Sequence, residues 1–121
     1  MVEALRLYEG KIFGIYAIKK NGRCYIKDFI DSLNEEQQKK VLALLHSSAD
    51  NRLPRNIEKF RKVSDNIWEF KSYQVRILCT FDKGRMILLL NGFIKKQQKT
   101  PIEEIKRAER LLSEYKNNRR N

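Results

Sequence analysis

The chain is poor in the residues that most enzyme chemistry depends on. Its 121 residues include one histidine, His46, and two cysteines, Cys24 and Cys79. A single imidazole on the apolar side of a helical stretch supports neither a Ser-His-Asp nor a Cys-His arrangement. His46 reads instead as a packed or half-exposed helix residue. Two cysteines make neither a disulfide framework nor a four-ligand zinc site. There is no Walker-type phosphate loop and no GxGxxG turn, so no nucleotide cofactor is implied. The acidic residues are dispersed, with no cluster suited to Mg²⁺. The expectation is chemistry with no metal and no cofactor, carried by cations, hydroxyls and at most one carboxylate.

Other absences narrow the class further. Five glycines and two prolines exclude a collagen-like or low-complexity chain. No apolar run exceeds five residues, Met86 to Leu90 among them, far short of the roughly 18 residues that a membrane-spanning helix needs. The segment Met1-Val2-Glu3-Ala4-Leu5 has no basic n-region and no small-residue cleavage site. The expectation is one soluble cytoplasmic domain over residues 1–121, with no membrane partner.

Positive charge, by contrast, is in excess. Lys and Arg total 26 against 15 Asp and Glu, a net charge of +11. Residues 1–50 carry eight basic and seven acidic side chains, whereas residues 51–121 carry eighteen and eight. Such a lopsided field suits a polyanionic partner, nucleic acid first and an anionic membrane surface second. A lysine-rich solubilising surface is the plainer alternative.

The periodicities outline one α+β domain with a small antiparallel-rich sheet. Ile12 to Ile18 is a nearly continuous apolar run, as in a buried strand. Ile26, Phe29, Ile30 and Leu33 repeat with helical spacing, and Asn34 is placed to cap a second helix carrying Val41, Leu42, Leu44 and Leu45. From Asn51 to Asn66 the pattern loosens around Pro54 and turns basic. Three strands follow, Ile67–Lys71, Val75–Asp82 and Met86–Ile94, with Asp82-Lys83-Gly84-Arg85 as a hairpin turn. Thr100-Pro101-Ile102-Glu103 has the form of a capping box, Thr100 being the N-cap. The helix it starts has the stripe Ile102, Ile105, Leu112 and Tyr115, and Asn117–Asn121 reads as a frayed tail.

In this meander Glu69 and Lys71 share a strand face. Arg76 starts the adjacent strand beyond a turn containing Tyr73, and Lys95, Lys96 and Lys99 follow the last strand. Lys71, Arg76 and Lys95/Lys96 therefore converge on one end of the sheet. Cations so gathered repel one another unless a phosphate sits among them. A solvated basic edge that discourages strand pairing is the alternative.

Trp68-Glu69-Phe70-Lys71, Val75-Arg76-Ile77, and Leu88 to Lys96 followed by Lys99-Thr100-Pro101 together resemble the phage-derived HigB-like branch of the RelE/ParE toxin superfamily. The resemblance runs over about residues 57–115 and is most specific in the Phe93-x-Lys95-Lys96 and Lys99-Thr100-Pro101 portions. It implies a RelE-like fold and a type II toxin–antitoxin toxin, a ribosome-dependent mRNA endonuclease held inactive by a cognate helix-turn-helix antitoxin. By the same resemblance, Arg76 contacts the scissile phosphate, Lys71 stands where the family has an arginine, and Glu69, Lys95 and Lys96 match family positions. Two positions depart. Asn91 replaces the family's usual histidine, and Gln74 replaces an aromatic residue, with Tyr73 adjacent.

Metal-free RNA cleavage requires that the 2′-OH be deprotonated, the phosphorane charge stabilised and the 5′-oxygen protonated. Arg76 suits the phosphorane. Lys71 or Lys96 could act as the base if neighbouring cations depress its pKa. Glu69 is an alternative base, or a counter-charge for Lys71. Lys95, Lys99, Tyr73, Arg61 and Lys62 complete the expected RNA-binding set. The competing readings are a non-catalytic RNA- or ribosome-binding module on the same scaffold and a topoisomerase-poisoning toxin.

Overall fold

The computed structural model of the chain describes residues 1–120, Arg119 and Arg120 by their backbone only. In chain order the elements are β1 (Val2–Glu9), β2 (Gly14–Lys20), α1 (Tyr25–Ser32), α2 (Glu35–Asp50), β3 (Phe60–Ser64), β4 (Ile67–Ser72), β5 (Val75–Asp82), β6 (Met86–Ile94) and α3 (Ile102–Arg120). The strands form one mixed sheet in the order β1-β2-β6-β5-β4-β3. Only β2 and β6 run parallel, because the chain returns to β2 after crossing the sheet with α1 and α2.

The α+β class agrees with the sequence, but the sheet has two strands more than the sequence pattern implied. The extra strands, β1 and β3, are the two edges. Each pairs on one side only and carries charged residues, Glu3, Arg6 and Glu9 in β1 and Arg61 and Lys62 in β3. Edge strands tolerate, and are protected by, such charges, which blur the alternation that marks a strand. The inner strands β4, β5 and β6 lie where the alternation places them.

Side-chain alternation divides the interior into two cores. Phe70, Val75, Ile77, Cys79, Ile87 and Leu89 face α1 and α2, joining Ile26, Ile30, Val41 and Leu45. Ile67, Leu78, Leu88 and Leu90 face α3, joining Ala108, Leu111, Leu112 and Tyr115. The N-cap expected at Asn34 is present, and it forms a full capping box: its side chain accepts from the Gln37 backbone at 2.8 Å, and Gln37 Oε1 accepts from the Asn34 backbone at 3.2 Å. His46 stacks on Tyr8 with ring centroids 4.0 Å apart, so it packs as expected.

Several boundaries differ. The buried run at Ile12–Ile18 enters the sheet only at Gly14, because the backbone N–H groups of Ile12 and Phe13 both donate to the Ala49 carbonyl, at 2.8 and 2.9 Å. That carbonyl lies in the last turn of α2, where no intrahelical donor remains for it. α3 begins at Ile102, which leaves Pro101, not Thr100, at the N-cap position. The Thr100 hydroxyl is bonded elsewhere. The buried stripe of α3 is Ala108, Leu111, Leu112 and Tyr115, while Ile102 stays 65% exposed. The helix also continues through the segment read as a tail, and Asn118 Nδ2 donates to the Val2 carbonyl at 2.8 Å. Asn121 lies outside the described residues. Among the described residues, no helix is long and apolar enough to cross a membrane.

The close approach of the β1–β2 loop to α2 yields a stability prediction. A Cβ on Gly10 would stand 2.6 Å from both Cβ and the carbonyl oxygen of Ala49, and neither can move without shifting α2. Gly10→Ala should lower unfolding stability by about 1–3 kcal/mol in urea titration, the range expected for overpacking. A neutral result would mean that this loop does not hold α2 in place.

Candidate functional site

The register of the inner strands assembles the site. Lys71 lies opposite Arg76, Arg76 opposite Phe93, and Arg61 opposite Glu69. Residues directly opposite one another share a sheet face, so Arg61, Glu69, Lys71 and Arg76 all stand on the α3 face. They occupy the end of the sheet marked by the β4–β5 turn.

Glu69 is the centre of this group. It has no exposed surface, and a buried carboxylate is tolerated only when paired and hydrogen-bonded. Both its oxygens are engaged. Arg61 Nε donates to Oε1 at 3.2 Å, and the Thr100 hydroxyl donates to Oε2 at 2.6 Å. Arg61 Nη2 also reaches Thr100 Oγ1 at 3.4 Å. Thr100 thus caps a carboxylate rather than a helix.

Arg76 is 8% exposed. Its Nη1 donates to the backbone carbonyls of Tyr73 and Val75, the latter at 3.1 Å, while its buried Nε has no partner. Burial lowers its pKa from the ordinary arginine value, against the opposing pull of Glu69. Lys71 is half-buried beside it. Desolvation and the neighbouring Arg61 hold the Lys71 pKa below the usual lysine value, with Glu69 opposing and Arg76 adding to the depression.

The basic segment after β6 reaches the same end of the sheet. The Lys95 backbone N–H donates to the Gln74 carbonyl at 2.7 Å, extending the β5–β6 ladder by one residue. The segment then returns to Glu69 through Thr100. Residues 95–100 therefore form an arch from the start of β5 to β4, with Lys96 and Lys99 exposed along it.

Other expected residues lie elsewhere. Lys62 follows Arg61 on the strand and points to the opposite face, its ammonium 5.4 Å from the centre of the Trp68 ring. Tyr73 is exposed at the turn with φ of 56°, and Lys40 of α2 lies 4.2 Å over its ring. Tyr73 thus leans toward the α2 side. Asn91, where the resembled family carries histidine, is 4% exposed. Leu78 pairs with Asn91 and Cys79 with Leu89, which leaves Leu90 as the extra residue of a bulge. Asn91 Nδ2 donates to the Glu104 carbonyl at 3.2 Å and to Glu104 Oε1 at 3.0 Å. Its amide pins the first turn of α3 to the sheet. Among the described residues, no three His, Cys, Asp or Glu side chains gather into a group that could hold a metal ion.

The role of Thr100 left no sequence signal, since its local context favours a helix cap. The pairing of Arg61 with Glu69 was hidden because β3 itself was not legible.

The crowding of cations sets a stability prediction. A lysine with a depressed folded-state pKa opposes folding at neutral pH, and this penalty fades as pH rises through its folded value. Lys71→Gln should therefore raise the thermal midpoint at pH 7, with the gain shrinking as pH climbs into the lysine range. A lowered midpoint at pH 7 would mean that Lys71 is held by favourable contacts rather than crowded.

No curated protein matches the chain. Residues 28–113 match the family described as "Phage derived protein Gp49-like (DUF891)". The match extends from within α1 through most of α3, taking in Glu69, Lys71, Arg76, Asn91 and the arch. With well over half of its length inside that match, the chain belongs to the Gp49-like family of phage-derived proteins.

Proposed function

We propose that the protein is the toxin of a type II toxin–antitoxin pair, of the RelE superfamily and its HigB-like branch, and that it cleaves mRNA on the ribosome. Membership of the Gp49-like family is compatible with a toxin of this kind. The observation that carries the reading is Arg76, nearly buried with an unpartnered Nε. Beside it stand Arg61 and Lys71, and Glu69, the one buried carboxylate among the described residues, is already divided between Arg61 and Thr100. A buried donor left without an acceptor costs about 1–3 kcal/mol. A phosphate oxygen that draws the Arg76 guanidinium outward would remove that cost and answer the surplus charge at once.

The geometry supports the following chemistry. A phosphodiester lies against Arg76, with its neighbouring phosphates along Lys95, Lys96 and Lys99. Lys71, whose depressed pKa raises its neutral fraction, takes the proton of the 2′-OH. The 2′-oxygen attacks phosphorus, and Arg76 holds the charge of the phosphorane. The P–O5′ bond breaks as Lys96 protonates the 5′-oxygen, leaving a 2′,3′-cyclic phosphate and a 5′-hydroxyl. Glu69 takes no proton here, because it is buried and both oxygens are occupied; it acts as the counter-charge. Asn91 is a structural pin, so its difference from histidine does not interrupt this route. The protein acts in the cytoplasm, and an acidic helix-turn-helix antitoxin neutralises its basic half.

The test is cleavage of a labelled mRNA in a translating extract. The wild type should release fragments ending in 2′,3′-cyclic phosphate and 5′-hydroxyl. Arg76→Ala should lose at least about a hundredfold in rate, as is usual when a transition-state donor is removed, while keeping its circular dichroism spectrum. Arg76→Lys should recover little, because an ammonium cannot replace the guanidinium fork. Wild-type cleavage by Arg76→Ala, or 3′-phosphate-free ends, would overturn the mechanism.

A further inference from the structure

We propose that Thr100 is a positioning residue that clasps the Lys95–Lys99 arch to the buried Glu69 carboxylate, fixing the arch lysines where successive RNA phosphates pass. This inference rests on the reading of the site as RNA-binding.

The arch is short and fastened at both ends. At one end the Lys95 N–H is bonded to the Gln74 carbonyl at 2.7 Å. At the other, the Thr100 hydroxyl is bonded to Glu69 Oε2 at 2.6 Å and accepts from Arg61 at 3.4 Å. Residues 96–99 between these points are exposed, so the fastenings at Gln74 and Glu69 are what determine their course. α3 has its own anchor, the bonds from Asn91 Nδ2 to Glu104. The Thr100 bond is therefore not needed to dock the helix.

Thr100 also gives up a local alternative. Thr100-Pro101-Ile102-Glu103 has the form of a capping box, in which the hydroxyl would accept from the Glu103 backbone. The structure instead turns this hydroxyl to Glu69, and Thr100 as a whole is 9% exposed. Glu69 has no other protein donor for Oε2 among the described hydrogen bonds. A β-hydroxyl at position 100 thus links the one buried carboxylate of the site to the end of its most basic loop. Without it, the lysines keep their charge and lose their fixed course.

The experiment compares Thr100→Val, nearly isosteric but without the hydroxyl, with Thr100→Ser, which keeps it. Two quantities are read: amide exchange at Lys95, whose N–H is bonded to Gln74 at the other end of the arch, and the salt dependence of binding to a single-stranded oligoribonucleotide. Thr100→Val should speed exchange at this amide as the freed arch frays, and make the slope of log K against log salt shallower, by about 0.7 for each phosphate that the lysines no longer neutralise. Thr100→Ser should restore both. Should Thr100→Val fail to fold, Thr100→Ala, which leaves room for water at Glu69, carries the same comparison. Wild-type exchange and slope in the folded variant lacking the hydroxyl would overturn the proposal. Salt-independent binding by the wild type would overturn the RNA-binding reading, and the clasp would then stand or fall on the exchange rates.

Discussion

A carboxylate with no exposed surface constrains everything around it. Glu69 sits on an inner strand among apolar neighbours, and its charge must be met within hydrogen-bonding distance. Arg61 meets it from the edge strand β3 and Thr100 from the segment that precedes α3. The β3–β4 hairpin is thereby tied at one point to the segment before α3, thirty-one residues further along the chain. The same commitment leaves Glu69 with little to offer Lys71 and Arg76, which stand beside it on the same face with an uncompensated positive charge.

That imbalance gives the site its character. Arg76 is folded back onto the carbonyls of its own turn and retains an unused buried Nε–H. Lys71 is desolvated and crowded by cations. A surface selected only for solubility would spread such charges into water, where they cost little. Here they are held against the sheet by strand register, with Phe93 beside Arg76 and Lys95 continuing the β5–β6 ladder. Positions that oppose folding in the free protein are those an anion would relieve, which is the usual tension between stability and a preorganised site.

The parts of this arrangement differ in how far the sequence reveals them. The faces of Glu69, Lys71 and Arg76 are legible because a strand alternates strictly, and β4 and β5 alternate cleanly. The convergence of Lys95 on them follows from the meander alone. The edge strands are not legible, since Glu3 and Arg6 in β1 and Arg61 and Lys62 in β3 dilute the apolar period where one side faces solvent. Arg61 and Lys62, both expected to bind RNA, therefore stand on opposite faces: adjacent strand residues point apart, and Lys62 goes to Trp68. Thr100 is opaque for another reason. Its neighbours spell a helix cap, and only the position of a carboxylate thirty-one residues earlier in the chain decides otherwise. Asn91 is similar, because the bulge that turns it toward α3 has no local signature.

The central claim is that the surplus cations at this end of the sheet form a site for an RNA phosphate, which the buried Arg76 guanidinium turns outward to meet. The most direct test is to follow the ¹⁵N–¹H resonance of that group by NMR while titrating a single-stranded oligoribonucleotide. The account predicts a saturable downfield shift of the Arg76 Nε–H, abolished on mutation of Lys71 to a neutral residue or greatly weakened by salt. A resonance that stays in place while RNA binds elsewhere on the protein would contradict it.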